Sequence, residues 1–264
     1  MNGSVDQGSD SGLLVEQVGP QLTITFDRPA HHNAMTSRMY DALFDACDRA
    51  DEDDTIRIMV LRGAGGRSFV SGSDISSFTD FGGPDDAVTF ERRMSATIVR
   101  LSRVEIPVVA AIDGFCLGAG LAIAMACDIR IASPCSRFGV PIARTLGNTL
   151  SAEVFALALR HFGHSRTTDM VLNARFFDAA EMQQCGFVSL VSDEVADATA
   201  TTVERILGHA PLTLWAAKEL LRRLHSSAPI PDDTDVLRRV YGSADFTHGV
   251  RAFLEKTPRV WTGN

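Results

Sequence analysis

The stretch IPVVAAIDGFCLGAGLAIAMACD, from Ile106 to Asp128, places a glycine-rich turn between a buried strand and an apolar helix. Val108 to Ile112 is a β-branched and alanine run of strand length. Asp113-Gly114 is a turn signal, and Gly118, Ala119 and Gly120 open a segment of good helix formers. The first amides of a helix have no intrahelical partner and lie at the positive end of the helix dipole. Such an opening therefore aims N–H donors at a negative or polarised oxygen. Two other readings stand beside this one. From Val108 to Cys127 only Asp113 is charged, which suits a membrane span, but the glycines and the Asp-Gly turn interrupt the ~20-residue helix a bilayer needs. A glycine-rich turn serving helix packing alone is the second, and this segment by itself leaves it open.

A chain of 264 residues holds one large domain, or a domain with an appendage, and buries a sizeable core either way. With 45% hydrophobic and 22% charged residues it has the composition of a soluble globular protein. A net charge of -8 argues against nucleic acid as a partner, because a phosphate backbone needs a basic face. An anionic small molecule needs only a few local cations. The five cysteines, an odd number without metal-type spacing, fit buried reduced thiols in a cytoplasmic protein, with no metal site. The opening MNGSVDQGSDSG lacks the basic and apolar regions of a signal peptide and reads as a disordered leader over residues 1–12.

Leu13 to Val18 and Gln21 to Asp27 flank Gly19-Pro20 as a hairpin. Thr36 suits the cap of a helix whose apolar positions Met39, Leu43 and Cys47 recur every four residues. Ile56 to Leu61 reads as a strand, Gly63 to Ser73 as a loop, Asp85 to Arg103 as a helix, and Asp128 to Ala132 and Arg137 to Val140 as short strands. Strands alternating with helices predict an α/β domain. After Asp193 the pattern is helical. Trp215, Leu220, Leu221, Leu224, Val240, Phe246, Phe253 and Trp261 exceed what a helical hairpin covers, which points to packing on another subunit.

Four blocks resemble the enoyl-CoA hydratase/isomerase, or crotonase, family: DRPAHHNAMT from Asp27, RSFVSGSDI from Arg67, AIDGFCLGAGLAIAMACDIRIAS from Ala111 and RAFLEKTPRVWTG from Arg251. The resemblance spans the chain after the leader. It implies an α/β crotonase-like spiral of strand-strand-helix repeats over residues 13–193, with a C-terminal helical trimerisation region over 194–264. It also implies an acyl-CoA thioester as substrate, no cofactor beyond the coenzyme A the substrate carries, no membrane partner, and a homotrimer or dimer of trimers. Two backbone amides would hold the thioester oxygen, those of Ser73 and Ala119. Arg28 and the backbone of Ala30, His31 and His32 match the region beside the nucleotide. Ser73, Asp74, Ile75 and Ser76, with Gly118 at the helix opening, match the region beside pantetheine and thioester. Phe253 and Lys256 match residues that reach a neighbouring subunit's CoA in relatives. Plainer roles stand beside these: a solvated helix charge for Lys256, a surface salt bridge for Arg28, and a brace within its own loop for Asp74.

One departure matters. Hydratases of the family use two glutamates, and the matching positions are Ala122 and Ile142. General acid-base catalysis contributes ~10²- to 10⁴-fold per group, so hydration by the usual route is not expected here. Arg144, Thr145, Asn148, Glu153, Asp80, His161 and His164 are the polar candidates nearby. Each has a structural alternative: a first-turn helix charge for Glu153, helix-end positions for the histidines. The expected activity is acyl-CoA processing through a thioester enolate. Isomerase, decarboxylase or hydrolase chemistry, or acyl-CoA binding without turnover, stand as alternatives. A Rossmann nucleotide site is disfavoured, because Gly114 to Gly120 lacks the GxGxxG spacing.

Overall fold

The computed structural model describes residues 11–225, 232–258 and 261, together with the backbone of Val5–Asp6. β1 (Val5–Asp6) lies antiparallel beside β2 (Leu13–Val18), which turns at Gly19-Pro20 into β3 (Gln21–Phe26), as the hairpin signal predicts. The expected disordered leader thus includes two strand residues, and most of the rest of it lies outside the described residues. The Thr36 side chain accepts from the Met39 amide and caps α1 (Ser37–Glu52), which buries Met39, Leu43 and Cys47 as their spacing requires.

From there the chain winds in strand-strand-helix turns. β4 (Ile58–Gly63) and β5 (Ser68–Val70) lead to α2 (Pro84–Leu101), and β6 (Val108–Ile112) and β7 (Phe115–Leu117) lead to α3 (Ala119–Ala126). β8 (Ile129–Ala132) and β9 (Arg137–Gly139) lead to α4 (Ile142–Thr145) and α5 (Ala152–Leu172), and β10 (Phe177–Asp178), α6 (Ala179–Gln184) and β11 (Leu190–Val191) close the spiral. In the three turns from β4 to β9 the first strand joins a seven-stranded sheet ordered β1-β2-β3-β4-β6-β8-β11 and the second a four-stranded sheet ordered β10-β9-β7-β5; β10 and β11 join the four- and seven-stranded sheets in turn. β4, β6 and β8 run parallel, Met59 opposite Val108 and Val109 opposite Ile129. Ile58–Leu61 of β4 and the whole of β6 are apolar on both faces because both faces are covered. The predicted loop from Gly63 to Ser73 contains β5, whose three residues are too few for a period-two pattern to register.

α3 is buried at every one of its eight positions. A helix apolar all round belongs in a core, and this is why its segment mimics a membrane span in hydropathy. Among the described residues no helix is long and apolar enough to cross a membrane. The far end of α3 is held by Arg130, whose guanidinium donates to the carbonyls of Ala124 (3.2 Å), Cys127 (2.6 Å), Asp128 (3.2 Å) and Phe187 (2.5 Å). Cationic donors at a helix C-terminus satisfy carbonyls the helix leaves open. Arg130→Met is expected to destabilise the protein by about 3–5 kcal/mol, since hydrogen bonds from a charged donor are worth ~1.5–3 kcal/mol each and the carbonyls stay buried. Urea unfolding would measure it.

α7 (Val195–Leu207), the first helix beyond residue 193, sets Val203 and Ile206 against Ile58, Val60, Val109 and Ile131 on the outer face of the larger sheet. α8 (Pro211–His225) follows, then α9 (Thr234–Tyr241) and α10 (Ala244–Glu255), which build a second cluster of Leu237, Tyr241, Phe246 and Val250 with Phe78, Ala87 and Leu146. Phe246 is therefore covered within the chain, whereas Trp215, Leu220, Leu221, Leu224 and Phe253 remain exposed.

Candidate active site

β5 and β7 pair in parallel, Val70 opposite Cys116, so the loops that leave them lie side by side. A Cβ placed on Gly118 would sit 3.6 Å from the Cα of Gly72, so the residues before Ser73 and Ala119 are in contact range. Gly118 adopts φ 52° and ψ -115°, a conformation a side chain disfavours, and this turns the chain so that Ala119 becomes the first residue of α3. The amides of Asp74 and Gly118, each next to one of the two positions, are occupied. Met35 N–H donates to Gly72 O at 2.9 Å, Asp74 N–H to Met35 O at 2.8 Å and Gly118 N–H to Gly139 O at 2.9 Å. Among the described residues the N–H groups of Ser73 and Ala119 donate to no protein group. The arrangement therefore offers two open main-chain donors on neighbouring loops, one of them at the positive end of α3.

The Ser73 loop is braced on every side. Its hydroxyl lies 2.8 Å from the Tyr40 hydroxyl and 3.9 Å from the sulfur of Met94. Asp74 accepts from the Ser76 amide (3.1 Å) and hydroxyl (2.7 Å), capping a 3-10 turn over Ile75–Asp80. Its other oxygen accepts from Arg28 at 2.8 Å, while Arg28 also donates to Ala34 O at 2.6 Å. Burial alone would raise the Asp74 carboxyl, but the Ser76 hydrogen bonds and the Arg28 pair hold it below the ordinary carboxylate range. Arg28 and Asp74 thus hold the loop, and both plain sequence readings, salt bridge and brace, describe what they do in the folded chain.

Ala30 and His31 lie exposed in a 3-10 turn over Pro29–His31. His32 places Nδ1 3.2 Å from the Ser68 hydroxyl, and its carbonyl accepts from Ser71 N–H, so this turn borders the Ser73 loop. Asn33, which the sequence did not flag, is fully buried and donates to Ala64 O and Ser68 O, fixing the turn against β5. Phe253 and Lys256 stand exposed in the last turn and C-cap of α10, whose body packs against Ile75–Asp80.

Ala122, one turn beyond Ala119, and Ile142, opening α4, are buried and apolar. Of the polar candidates, Glu153 takes the first turn of α5 with Arg92 3.5 Å away. His161 bonds the Met125 carbonyl at 2.9 Å, just before Gly163 interrupts α5, and His164 is exposed. Arg144 lies over the Phe176 ring, and Asp80 is exposed. Asn148 donates to the Tyr241 hydroxyl at 3.3 Å.

Sequence reasoning missed the acid beside this hydroxyl. Glu91 on α2 is 2% exposed, shares a short hydrogen bond with Tyr241, and leaves Oε2 without a protein partner among the described residues. Its pKa stands raised from 4.5 to about 8, chiefly by burial; Asp233 and Glu153 add to the rise, while the Tyr241 hydrogen bond and Arg92 oppose it. The signal was available: Ala87, Glu91, Met94, Ser95 and Ile98 form one buried helical face, and Glu91 is its charged member. A carboxyl raised on folding contributes stability fully present below its ordinary value and lost as pH climbs through the folded one. Relative to Glu91→Gln, the parent protein should therefore lose stability between about pH 4.5 and pH 8 and no further above it. Paired melting curves across that window check the sign.

The sequence model of the enoyl-CoA hydratase/isomerase family matches residues 21–264. The 2,3-dehydroadipyl-CoA hydratase of Escherichia coli strain K12 is 30% identical over 251 residues, covering 93% of this chain and 96% of that protein. A crystal structure of an enoyl-CoA hydratase/carnithine racemase from Magnetospirillum magneticum superposes with a TM-score of 0.79 at 29% identity, over 99% of this chain and 97% of that one. A methylmalonyl-CoA decarboxylase in complex with 2-nitronate-propionyl-CoA shares the fold at a TM-score of 0.86 and 23% identity, over 96% of this chain and 98% of the other.

Proposed function

The chain belongs to the enoyl-CoA hydratase/isomerase family, and from that premise we propose that it processes an acyl-CoA thioester through an enolate held by the amides of Ser73 and Ala119. The observation that carries this reading is the pair of open N–H donors on adjoining loops. Breaking or making a bond beside a thioester carbonyl moves charge onto its oxygen. Fixed donors aimed there stabilise that charge without reorganising, and one donor is typically worth ~3–4 kcal/mol. Arg28 and the backbone from Ala30 to His32 face the nucleotide end in this reading, with Phe253 and Lys256 of a neighbouring subunit.

Ala122 and Ile142 cannot move a proton, so hydration by the family's usual pair does not suit this site; decarboxylation, which forms the enolate without a base, suits it better, while isomerisation or thioester hydrolysis needs a proton-transfer group from elsewhere in the chain. The same two residues favour a second reading, a protein that binds acyl-CoA without turnover. Calorimetry and steady-state assays with enoyl-, malonyl- and aryl-CoA thioesters separate the two: turnover supports an enzyme, tight binding without turnover supports the second reading, and neither binding nor turnover rejects both. A homotrimer or dimer of trimers would cover the exposed Trp215, Leu221 and Leu224. Light scattering on the purified protein tests that assembly. A cytoplasmic setting fits the five free cysteines.

A further inference from the structure

We propose that Glu91, in concert with the phenol of Tyr241, is the proton-transfer group of this site, exchanging a proton with the carbon next to the thioester carbonyl. The inference rests on the acyl-CoA reading above and supplies the group that Ala122 and Ile142 lack. α2 passes directly beside the Ser73 loop, because Met94 touches the Ser73 hydroxyl at 3.9 Å. Glu91 lies three residues earlier on the same buried face, and side chains at that spacing are neighbours ~5–6 Å apart. Tyr40, bonded to the Ser73 hydroxyl, is close enough for the Glu91 carboxylate to raise its own pKa.

The surroundings suit proton transfer rather than an ion pair. The charged and titratable groups facing Glu91 are Tyr241 on α9, Asp233 at its cap, Glu153 on α5 and Arg92 on α2 itself, with Tyr40 of α1. Arg92 bonds Asp233 at 2.6 Å and lies 3.5 Å from Glu153. Its charge is thereby shared with the neighbouring acids. The Tyr241 hydroxyl occupies one Glu91 oxygen and is itself positioned by Asn148, while Oε2 is left open. A carboxyl so placed holds its proton near neutral pH and releases it slightly above, the range in which a general acid or base works best.

In the proposed step the C–H bond next to the carbonyl breaks and the proton passes to a carboxylate oxygen of Glu91. The electron pair moves into the enolate, whose oxygen rests on the Ser73 and Ala119 amides. Reversal returns a proton, or a deuteron in heavy water, to the same carbon. No other reactant is needed.

Deuterium uptake into butyryl-CoA and phenylacetyl-CoA, followed by NMR in heavy water, reads this step directly, with calorimetry reporting binding in parallel. The parent protein should exchange at a rate that rises to a plateau with its midpoint at about pH 8. Glu91→Gln, which keeps the shape of the side chain, should bind both thioesters with unchanged affinity, slow exchange by at least ~100-fold and flatten the pH profile. Glu91→Asp should recover part of the rate, and Tyr241→Phe should shift the midpoint, which a merely structural tyrosine would not do. Exchange in Glu91→Gln with the parental rate and midpoint overturns the proposal, and so does binding by the parent without exchange. Failure of the parent to bind either thioester rejects the acyl-CoA reading itself, and this inference with it.

Discussion

Ala119→Pro should remove ~10²- to 10³-fold of kcat while leaving the protein folded, the loss expected when one donor to a developing oxyanion is deleted. The substitution is unusually clean at this position. Ala119 is the first residue of α3, where proline is favoured, because its fixed φ suits the helix and the missing N–H has no intrahelical partner. No described group accepts from this amide, so no internal hydrogen bond is lost. The residue before a proline is normally confined by a clash with its own Cβ, and Gly118 has none. Ala119→Ser, which keeps the N–H, serves as the control and should retain most of the parental rate. Melting temperature and acyl-CoA affinity measured on both variants separate lost chemistry from lost structure. A folded Ala119→Pro enzyme with parental kcat would exclude the Ala119 amide from the mechanism, and with it the two-donor site.

The contrast between the opening of α3 at Ala119 and Glu91 shows how far this sequence discloses the proposed site. Ala119 was legible because the whole device is local: strand, turn, glycine and helix opening follow one another within Ile106 to Asp128, and each leaves a period or a turn signal. The hairpin at Gly19-Pro20 and the Thr36 cap were legible for the same reason. β5 and β7 have three residues each and do not stand out in the sequence, since they are held by the strands beside them rather than by any pattern of their own; β9, equally short, is legible within Arg137 to Val140. α7 falls in the C-terminal helical region by sequence because a helical pattern after Asp193 does not say what the helix covers; in the fold it covers the larger sheet. Glu91 was passed over because a charged residue in a helix ordinarily marks the solvated face. Its partner Tyr241 arrives from 150 positions along the chain, and only the folded molecule brings them together.

Gly120→Ala is the second change expected to have a large effect, and it tests the seating of the two loops rather than a donor. An added Cβ would lie 2.1 Å from the Val70 carbonyl oxygen, 2.8 Å from its carbon and 2.9 Å from the Val70 Cβ, all far inside van der Waals contact. These atoms cannot swing aside as the end of a long side chain would. They belong to the end of β5, which is paired to β7 and covered by α3. The clash must therefore be relieved by moving the opening of α3 away from β5, which carries Ala119 away from Ser73. Overpacking of a close-packed core costs about 1–3 kcal/mol. For a chain of this length that corresponds to a fall in Tm of roughly 2–4 °C per kcal/mol. Turnover should suffer more than stability, because a displacement of ~1 Å at a reacting centre costs ~10²-fold in rate. Gly83→Ala is the matched control, since an added Cβ there meets nothing within 4 Å and the backbone is extended at φ 173°. Thermal melting and kcat compared across the parent and both variants decide the matter. If Gly120→Ala melts and turns over like the parent, close seating of α3 on β5 is not what aligns the two amides.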